Sequence, residues 1–338
     1  MTPFESEILI KAIELFIKTG RPVSSWRMKK SYGLSVSTAN IRSMLHNMEE
    51  RGYLFKPHVS SGRVPTDLGY RYYVNELKTL GGLSRSTVAE IKMRIGRDWR
   101  EVRDVMSVTS RLLSEMTSYM GLVIGIVSAS CTVEKLEIVQ MEGSRALIVL
   151  HLSPERKRNS FVDFPKRYPT HIIDRAVQII NERISGHSLE AAPEVLDDFL
   201  RESAGCERDI AEAISAGAEQ LFDWAYDLEY HFRGVPELFD NKELNNPRLL
   251  QNLVRIMGEK SLMLKVLKTR MQQELMVTIG RENNIDELAD FSIVTQKFYA
   301  GDCEGLLGVL GPTRMSYRLV LSLLHNMTSE LHQLDLES

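Results

Sequence analysis

An α+β protein of more than one domain is the fold class the sequence predicts, and three observations predict it. The chain has 338 residues, more than one ordinary hydrophobic core accommodates. From Thr2 to Leu77 it carries short helical periodicities that run into a glycine-turned extended pair. Beyond Met120, strand-type alternation and helical periodicity take turns along the chain.

The first helix opens at Thr2-Pro3-Phe4-Glu5, a capping-box pattern with proline at the first helical position. Ile8, Leu9, Ala12, Ile13, Phe16 and Ile17 follow at helical spacing, and Gly20 ends the run. Pro22 fills the connection. Ser24 or Ser25 caps a short second helix carrying Trp26 and Met28, and Gly33 suits the left-handed turn that closes it.

A third helix begins at Ser37. Ile41, Met44, Leu45 and Met48 fall on one stripe of it, which is expected to pack on the first two helices. The opposite face presents Ala39, Arg42, Ser43, His46 and Glu50, with Asn40 and Asn47 on its flank and Ser37-Thr38 at its start. Such a face offers donors, acceptors and small apolar contacts, as reading base edges in a major groove requires. Two short extended runs follow around Ser60-Ser61-Gly62, bounded by Pro57 and Pro65, which suit only strand ends or sheet edges. The pattern is a helix-turn-helix with a wing, and it predicts double-stranded DNA as the partner. Arg63 is expected at the wing tip, with Lys56 and His58 serving the same wing and Lys29 and Lys30 meeting phosphate. Charge distribution agrees: residues 1–78 hold 12 Lys and Arg against 7 Asp and Glu, a balance of +5, while the rest holds 30 against 38, or −8.

Thr66 caps a fourth helix with Tyr70, Tyr73, Val74 and Leu77 on its apolar face, and Gly81-Gly82 marks a hinge. Ser84 to Tyr119 reads as long helix with Gly96 as a breaking point. Strands are predicted over Leu122–Val127, Leu136–Val139, Ala146–Leu150 and Phe161–Phe164, with Glu142-Gly143-Ser144 as a hairpin turn. Helices return over Thr170–Ile184, Pro193–Glu202, Glu207–Tyr230 and Pro247–Gln273. A last mixed unit has strands at Met276–Ile279, Phe291–Val294 and Gly305–Leu310 and a closing helix from Ser316 to about Leu331. The stripe Leu221, Phe222, Trp224, Ala225, Leu228 suits a dimer face or an internal core equally well.

Chemistry is not signalled. Cys131, Cys206 and Cys303 lie far apart without paired spacing, so neither a zinc cluster nor a disulfide framework is expected, and a reducing cytoplasm fits them. No His-x-x-x-His pair occurs, and Asp197-Asp198 reads as solvated charge. Gly305, Gly308 and Gly311 recur every third residue, which is not a dinucleotide fingerprint and reads as a tightly packed strand and turn. The expectation is a non-enzyme with no catalytic residues, no cofactor and no metal. The amino terminus has no basic segment or cleavage site and no apolar run spans a bilayer, so no membrane association is expected.

Taken together, two sets of residues resemble the bacterial heat-inducible transcription repressor (HrcA) family. The first is Gly20-x-Pro22-Val23-x-Ser25, Tyr32-Gly33-Leu34, Ile41-Arg42, Met48-Glu49-Glu50-x-Gly52-Tyr53-Leu54, Pro57-His58 and Ser61-Gly62-Arg63-Val64-Pro65-Thr66-Asp67-x-Gly69-Tyr70-Arg71-x-Tyr73-Val74. The second is Ile279-Gly280-x-Glu282-Asn283, Ser292-Ile293-Val294 and Gly308-Val309-Leu310-Gly311-Pro312-Thr313-Arg314-Met315-x-Tyr317. The resemblance implies a winged-helix DNA-binding domain over 1–82, a discontinuous GAF-like α/β domain over 83–131 and 240–338, and an inserted α+β dimerisation domain over 132–239. It implies a homodimer that represses chaperone operons from an inverted-repeat operator, with a GroEL-type chaperonin keeping it active until heat stress diverts that chaperonin. A rival reading has the GAF-like domain sensing a small metabolite instead. Across the third helix the family pattern Pro-Ala-Thr-Ile-Arg-Asn-Asp-Met stands here as Thr38-Ala39-Asn40-Ile41-Arg42-Ser43-Met44-Leu45. The changes at Asn40 and Ser43 bear on base preference and that at Met44 on packing.

Overall fold

The computed structural model of the chain describes residues 1–58, 61–77, 82–96, 102–126, 131–153, 156–222, 228–234, 247–258, 266–267, 269–300 and 303–334. It is a mixed α and β protein that divides into two compact units. The first gathers Met1–Ile124, Tyr230–Tyr299 and Gly305–Leu334, and the second is built on Gly125–Glu229 and Ala300–Glu304.

In the first unit, α1 (Pro3–Thr19) starts on the capping box, with Glu5 N–H donating to Thr2 Oγ1 at 3.2 Å and Thr2 N–H to Glu5 Oε2 at 2.9 Å. α2 (Ser25–Tyr32) is capped by Ser24, and α3 (Thr38–Glu50) by Ser37, whose hydroxyl accepts from Asn40 N–H at 3.1 Å. Ile8, Leu9, Ala12 and Ile13 of α1 are buried together with Met28 of α2 and Ile41, Leu45 and Met48 of α3. Met44, expected in that stripe, is only half-buried, because it lies at the edge of the contact. Two short strands, β1 (Leu54–Phe55) and β2 (Val64–Pro65), pair antiparallel, and Val23 joins them through a bridge to Arg63. α4 (Asp67–Asn75) follows, capped by Thr66. It packs so closely on the ribbon that a Cβ at Gly69 would overlap the Tyr53 carbonyl, which restricts that position to glycine.

α5 (Arg85–Ile95) ends with Gly96 as its C-cap, and α6 (Val102–Thr117) is a separate helix, as the glycine break predicts. Gly82 is described but Gly81 is not, so the expected hinge lies partly outside the described residues. The unit's sheet has the order β7 (Leu228–Arg233), β3 (Met120–Ile126), β10 (Cys303–Pro312), β9 (Phe291–Ala300), β8 (Leu275–Ile279). Val277 of β8 stands opposite Val294 of β9 in an antiparallel pair. Gly305 and Gly308 occupy the crowded centre, where a Cβ would overlap Ile124 O in one case and approach Val294 O to 2.7 Å in the other. The amphipathic α11 (Pro247–Gly258) accounts for the start of the helix predicted to run to Gln273. α12 (Tyr317–Leu331) buries Val320, Leu323, Leu324, Met327 and Leu331 and packs on α5 and α6.

The second unit is a three-stranded antiparallel meander, β4 (Thr132–Gln140), β5 (Arg145–Ser153) and β6 (Arg156–Asp163), backed by α7 (Thr170–Ile184), α8 (Ala192–Glu202), α9 (Cys206–Ala216) and α10 (Ala218–Phe222). Ala146, Ile148, Leu150 and Leu152 alternate inward from β5 and meet Ile173, Ala176, Ile180 and Ile184 of α7 in one core. Asn181 joins helix to strand, accepting from Leu136 N–H at 2.6 Å and donating to Leu136 O at 2.9 Å.

One element differs from the sequence reading. The helix expected over 207–230 stops at Ala216, resumes as the short α10, and a strand occupies 228–233. Gly217 breaks it where the chain turns against Ser160 and Val162 of β6, and Leu228, Tyr230 and Phe232 alternate with Glu229, His231 and Arg233 at strand period. Leu221 and Phe222 are buried in the second unit's core, which decides the core reading of their stripe; Trp224 and Ala225 lie outside the described residues.

Candidate nucleic-acid interface

The buried stripe of α3 fixes which side of that helix faces outward. Ser37, Thr38, Ala39, Asn40, Arg42, Ser43 and His46 are exposed and Asn47 is half-buried, so the residues singled out for base reading share one accessible face. Ser37 spends its hydroxyl lone pair on capping. His46 is flanked by acids, with Nδ1 3.7 Å from Glu49 Oε2 and Nε2 3.6 Å from Glu50 Oε1. Arg42 makes no ion pair among the described residues and its guanidinium is exposed. Lys29 and Lys30, in the last turn of α2, are exposed, and Lys30 Nζ lies 5.0 Å from the ring centroid of Trp26, itself 62% exposed. Lys56 and His58 are exposed on the ribbon.

Arg63 is not at a solvent-facing tip. It is only 7% exposed, because its backbone bridges Val23, with Val23 N–H donating to Arg63 O at 2.8 Å and Arg63 N–H to Val23 O at 2.9 Å. Its Nε donates to Glu49 Oε2 at 2.9 Å, so the guanidinium ties the ribbon to the last turn of α3. The sequence expectation assumed a two-stranded hairpin with Arg63 beyond its last rung. The Val23 bridge lengthens the paired region and turns the side chain inward. Burial works to raise the Glu49 carboxyl, but the hydrogen bond and charge of Arg63, with Lys56 behind them, outweigh it and hold Glu49 below the ordinary carboxylate range.

The larger omission of the sequence reading is how this surface is mounted. Arg71 on α4 donates through Nε to Glu282 Oε1 at 2.9 Å and through Nη2 to the Val277 carbonyl at 2.6 Å and to Glu282 Oε2. Glu282 also accepts from Ile279 N–H at 2.9 Å, so the carboxylate is shared between α4 and the end of β8. The Asp67 carboxylate accepts from Arg281 N–H at 3.2 Å. It leaves no room for a side chain at Gly280, whose φ of +55° also favours glycine. Tyr70 and Tyr73 pack on Tyr317 with ring centroids at 5.9 and 6.5 Å, the first tilted and the second edge-on, and Tyr317 is fully buried and bonded to Ser292 Oγ at 2.7 Å and Thr313 O at 2.6 Å. Arg314 caps the far end of α1, donating to Phe16 O at 3.3 Å and Ile17 O at 2.7 Å, where a cation also complements the helix dipole. No charge pattern in the sequence pairs residues some two hundred positions apart; only their co-occurrence in two motif sets pointed to them.

No group of three or more His, Cys, Asp or Glu side chains placed to hold a metal occurs among the described residues. No helix of the described residues is long and apolar enough to cross a membrane.

Known proteins resemble the chain over nearly its whole length. A protein from Chlorobium phaeobacteroides described as heat-inducible transcription repressor HrcA is 29% identical over 97% of this chain and 96% of its own length. One of the same description from Desulforudis audaxviator is 30% identical over 96% of this chain and 95% of its own. A solved structure, titled only as a hypothetical protein, superposes with a TM-score of 0.61 at 18% identity over 98% of both chains, and so shares the fold. The class the sequence and its relatives define is therefore that of transcription repressors. More particularly, residues 103–321 match the HrcA protein C terminal domain, and the chain belongs to the HrcA family of heat-inducible transcription repressors.

Two outcomes are expected. Glu49 has a lowered folded-state pKa, so the Arg63 lock contributes fully above the ordinary value of 4.5 and is lost as pH falls through the folded value. Thermal unfolding followed from pH 7 downward should show this loss in the native chain and a flatter profile in Glu49→Gln; equal slopes would remove Glu49 from the account. For Arg71→Ala and Glu282→Gln, a double-mutant cycle in urea should return a coupling of about 1 kcal/mol, reduced from the buried-pair value because both side chains are partly exposed. A coupling indistinguishable from zero would mean that the bridge contributes nothing to the mounting.

Proposed function

We propose that the amino-terminal module is a winged helix-turn-helix that reads double-stranded operator DNA, with α3 in the major groove. The exposed face of α3, held outward by Ile41, Leu45 and Met48, carries this reading, since membership in a repressor family says that DNA is bound and this is the face with base-reading chemistry. Ala39, Asn40, Arg42, Ser43, His46 and Asn47 are assigned to base edges. Ser37 and Thr38, at the amino end of the helix, and Lys29, Lys30, Lys56 and His58 are assigned to the phosphate strands. Arg63 is assigned a positioning role: through Glu49 it sets the angle between ribbon and helix.

The operator is an inverted repeat read by a homodimer, because one short helix gives too little discrimination alone and two half-sites add their free energies. The outward face of the β4–β6 meander supports self-association. Val139, Leu147 and Phe161 stand side by side across the three strands there, with Val139 52% and Phe161 55% exposed. In this reading the sheet of the first unit belongs to a GAF-like domain over 83–131 and 240–338, the meander and its helices belong to an inserted dimerisation domain over 132–239 whose last residues supply β7 to that sheet, and the repressor works in the cytoplasm. Its target operons encode chaperones, and support by a GroEL-type chaperonin makes it heat-inducible.

Footprinting upstream of chaperone operons of the source bacterium should protect a symmetric inverted repeat, and absence of protection at every salt concentration would overturn the reading. Arg42→Ala should weaken operator binding by about 1–3 kcal/mol and relax specificity at one position, whereas Lys29→Ala should weaken all sequences alike and reduce the salt slope by about 1. Sedimentation of Phe161→Glu should show a monomer that binds half-sites weakly; an unchanged dimer would move the interface elsewhere.

A further inference from the structure

A cleft of about 470 Å³ opens in the first unit between the end of β8, the turns at Gly280–Leu288 and the segment holding Val266, Thr269 and Arg270. Its size is that of a small-molecule site. Arg270 lines it and is only 3% exposed. Among the described residues all its hydrogen bonds go to neutral oxygens: the Ile293 carbonyl at 3.5 Å, Thr295 Oγ1 at 3.2 Å and Thr278 Oγ1, which in turn donates to Asn283 Oδ1 at 2.6 Å. No carboxylate lies within ion-pair distance of it among the described residues.

The acids that share the cleft do not compensate Arg270, because each already has an arginine of its own. Glu282 is held by Arg71, and Glu287 lies 2.7 Å from Arg255. These pairs cancel, which leaves Arg270 as the unbalanced charge of the cleft. Burial lowers its pKa to about 10, with no neighbouring acid opposing the shift, so it is still a cation at neutral pH. A buried guanidinium without a counter-charge is costly, and breaking even requires a partner of opposite sign. It has five N–H donors, of which its three hydrogen bonds leave some unused, in the planar fork that suits a carboxylate or phosphate.

We propose that the Arg270 cleft is a binding site for a small anion, a free carboxylate or phosphate group carried on a compact molecule. Arg270 supplies the charge and orienting donors, and the Asn283 and Thr278 relay holds the guanidinium in place. The site stands on its own geometry and does not depend on how the amino-terminal module meets DNA.

The test is thermal unfolding and calorimetric titration of the full chain with sodium phosphate and, separately, sodium succinate, each against sodium chloride at equal ionic strength. The expected result is a saturable rise in unfolding midpoint with at least one of the two; which one responds tells phosphate from carboxylate. Arg270→Met removes the buried charge while keeping much of the volume, so it should fold and yet lose affinity about tenfold or more, with Arg270→Lys intermediate. Should Arg270→Met fail to fold, hydrogen exchange in the native chain decides: the responding anion should slow exchange across Arg270 and Thr278–Leu288. No response beyond chloride to either anion, an undiminished response in Arg270→Met, or protection confined to other segments would each overturn the site.

Discussion

The bond between Arg71 and Glu282 is the centre of a set of contacts that together hold the amino-terminal module within the first unit. α3 packs on α1, α2 and β1 of its own module, so its direction follows from how that module is held. That hold comes through both α4 and α1. Arg71 grips both a carboxylate and a β-strand carbonyl, so it fixes direction as well as distance. Around it, Asp67 on the Arg281 amide, the Tyr70 and Tyr73 rings on Tyr317, and Arg314 on the end of α1 fasten the same module from different sides. None of these contacts alone is large in energy. Together they cover separate directions, so loosening one leaves the others to resist rotation.

A second lock works at smaller scale. Glu49 ends α3, Arg63 lies on the ribbon, and Val23 comes from the turn before α2; their bonds join the three pieces of the surface that faces outward. Burying Arg63 there removes one cation from the outer face. Of the cations proposed to meet DNA, Lys29, Lys30, Arg42 and Lys56 remain exposed, spread over helix and ribbon rather than gathered at one tip. His46 stands between Glu49 and Glu50 on the same helix.

Much of the fold was legible in the sequence where local rules suffice. The capping box at Thr2, the caps at Ser37 and Thr66, the break at Gly96 and the turn at Gly143 are all decided within four residues by backbone geometry. The outward face of α3 was legible because a helix's period is fixed and its apolar stripe is clean. The strand at 228–233 was missed because the preceding helical pattern was extended past Gly217, although the period changes there. Arg63 was misplaced because nothing local announces that Val23, forty residues earlier, pairs with it.

What the sequence determined by itself is the set of elements, their caps and faces, and, through two separated motif sets, the family. Those are properties of neighbours along the chain, and short-range sterics and hydrogen bonding decide them. What only the tertiary structure decided is which charges are spent and which are left over. Arg63 and Arg71 are consumed in locks, Glu282 and Glu287 are neutralised by their own arginines, and Arg270 is left buried without a counter-charge among the described residues. An ion pair depends on distance in space, so the same arginine reads alike in the sequence whether it faces solvent, a carboxylate or a cleft.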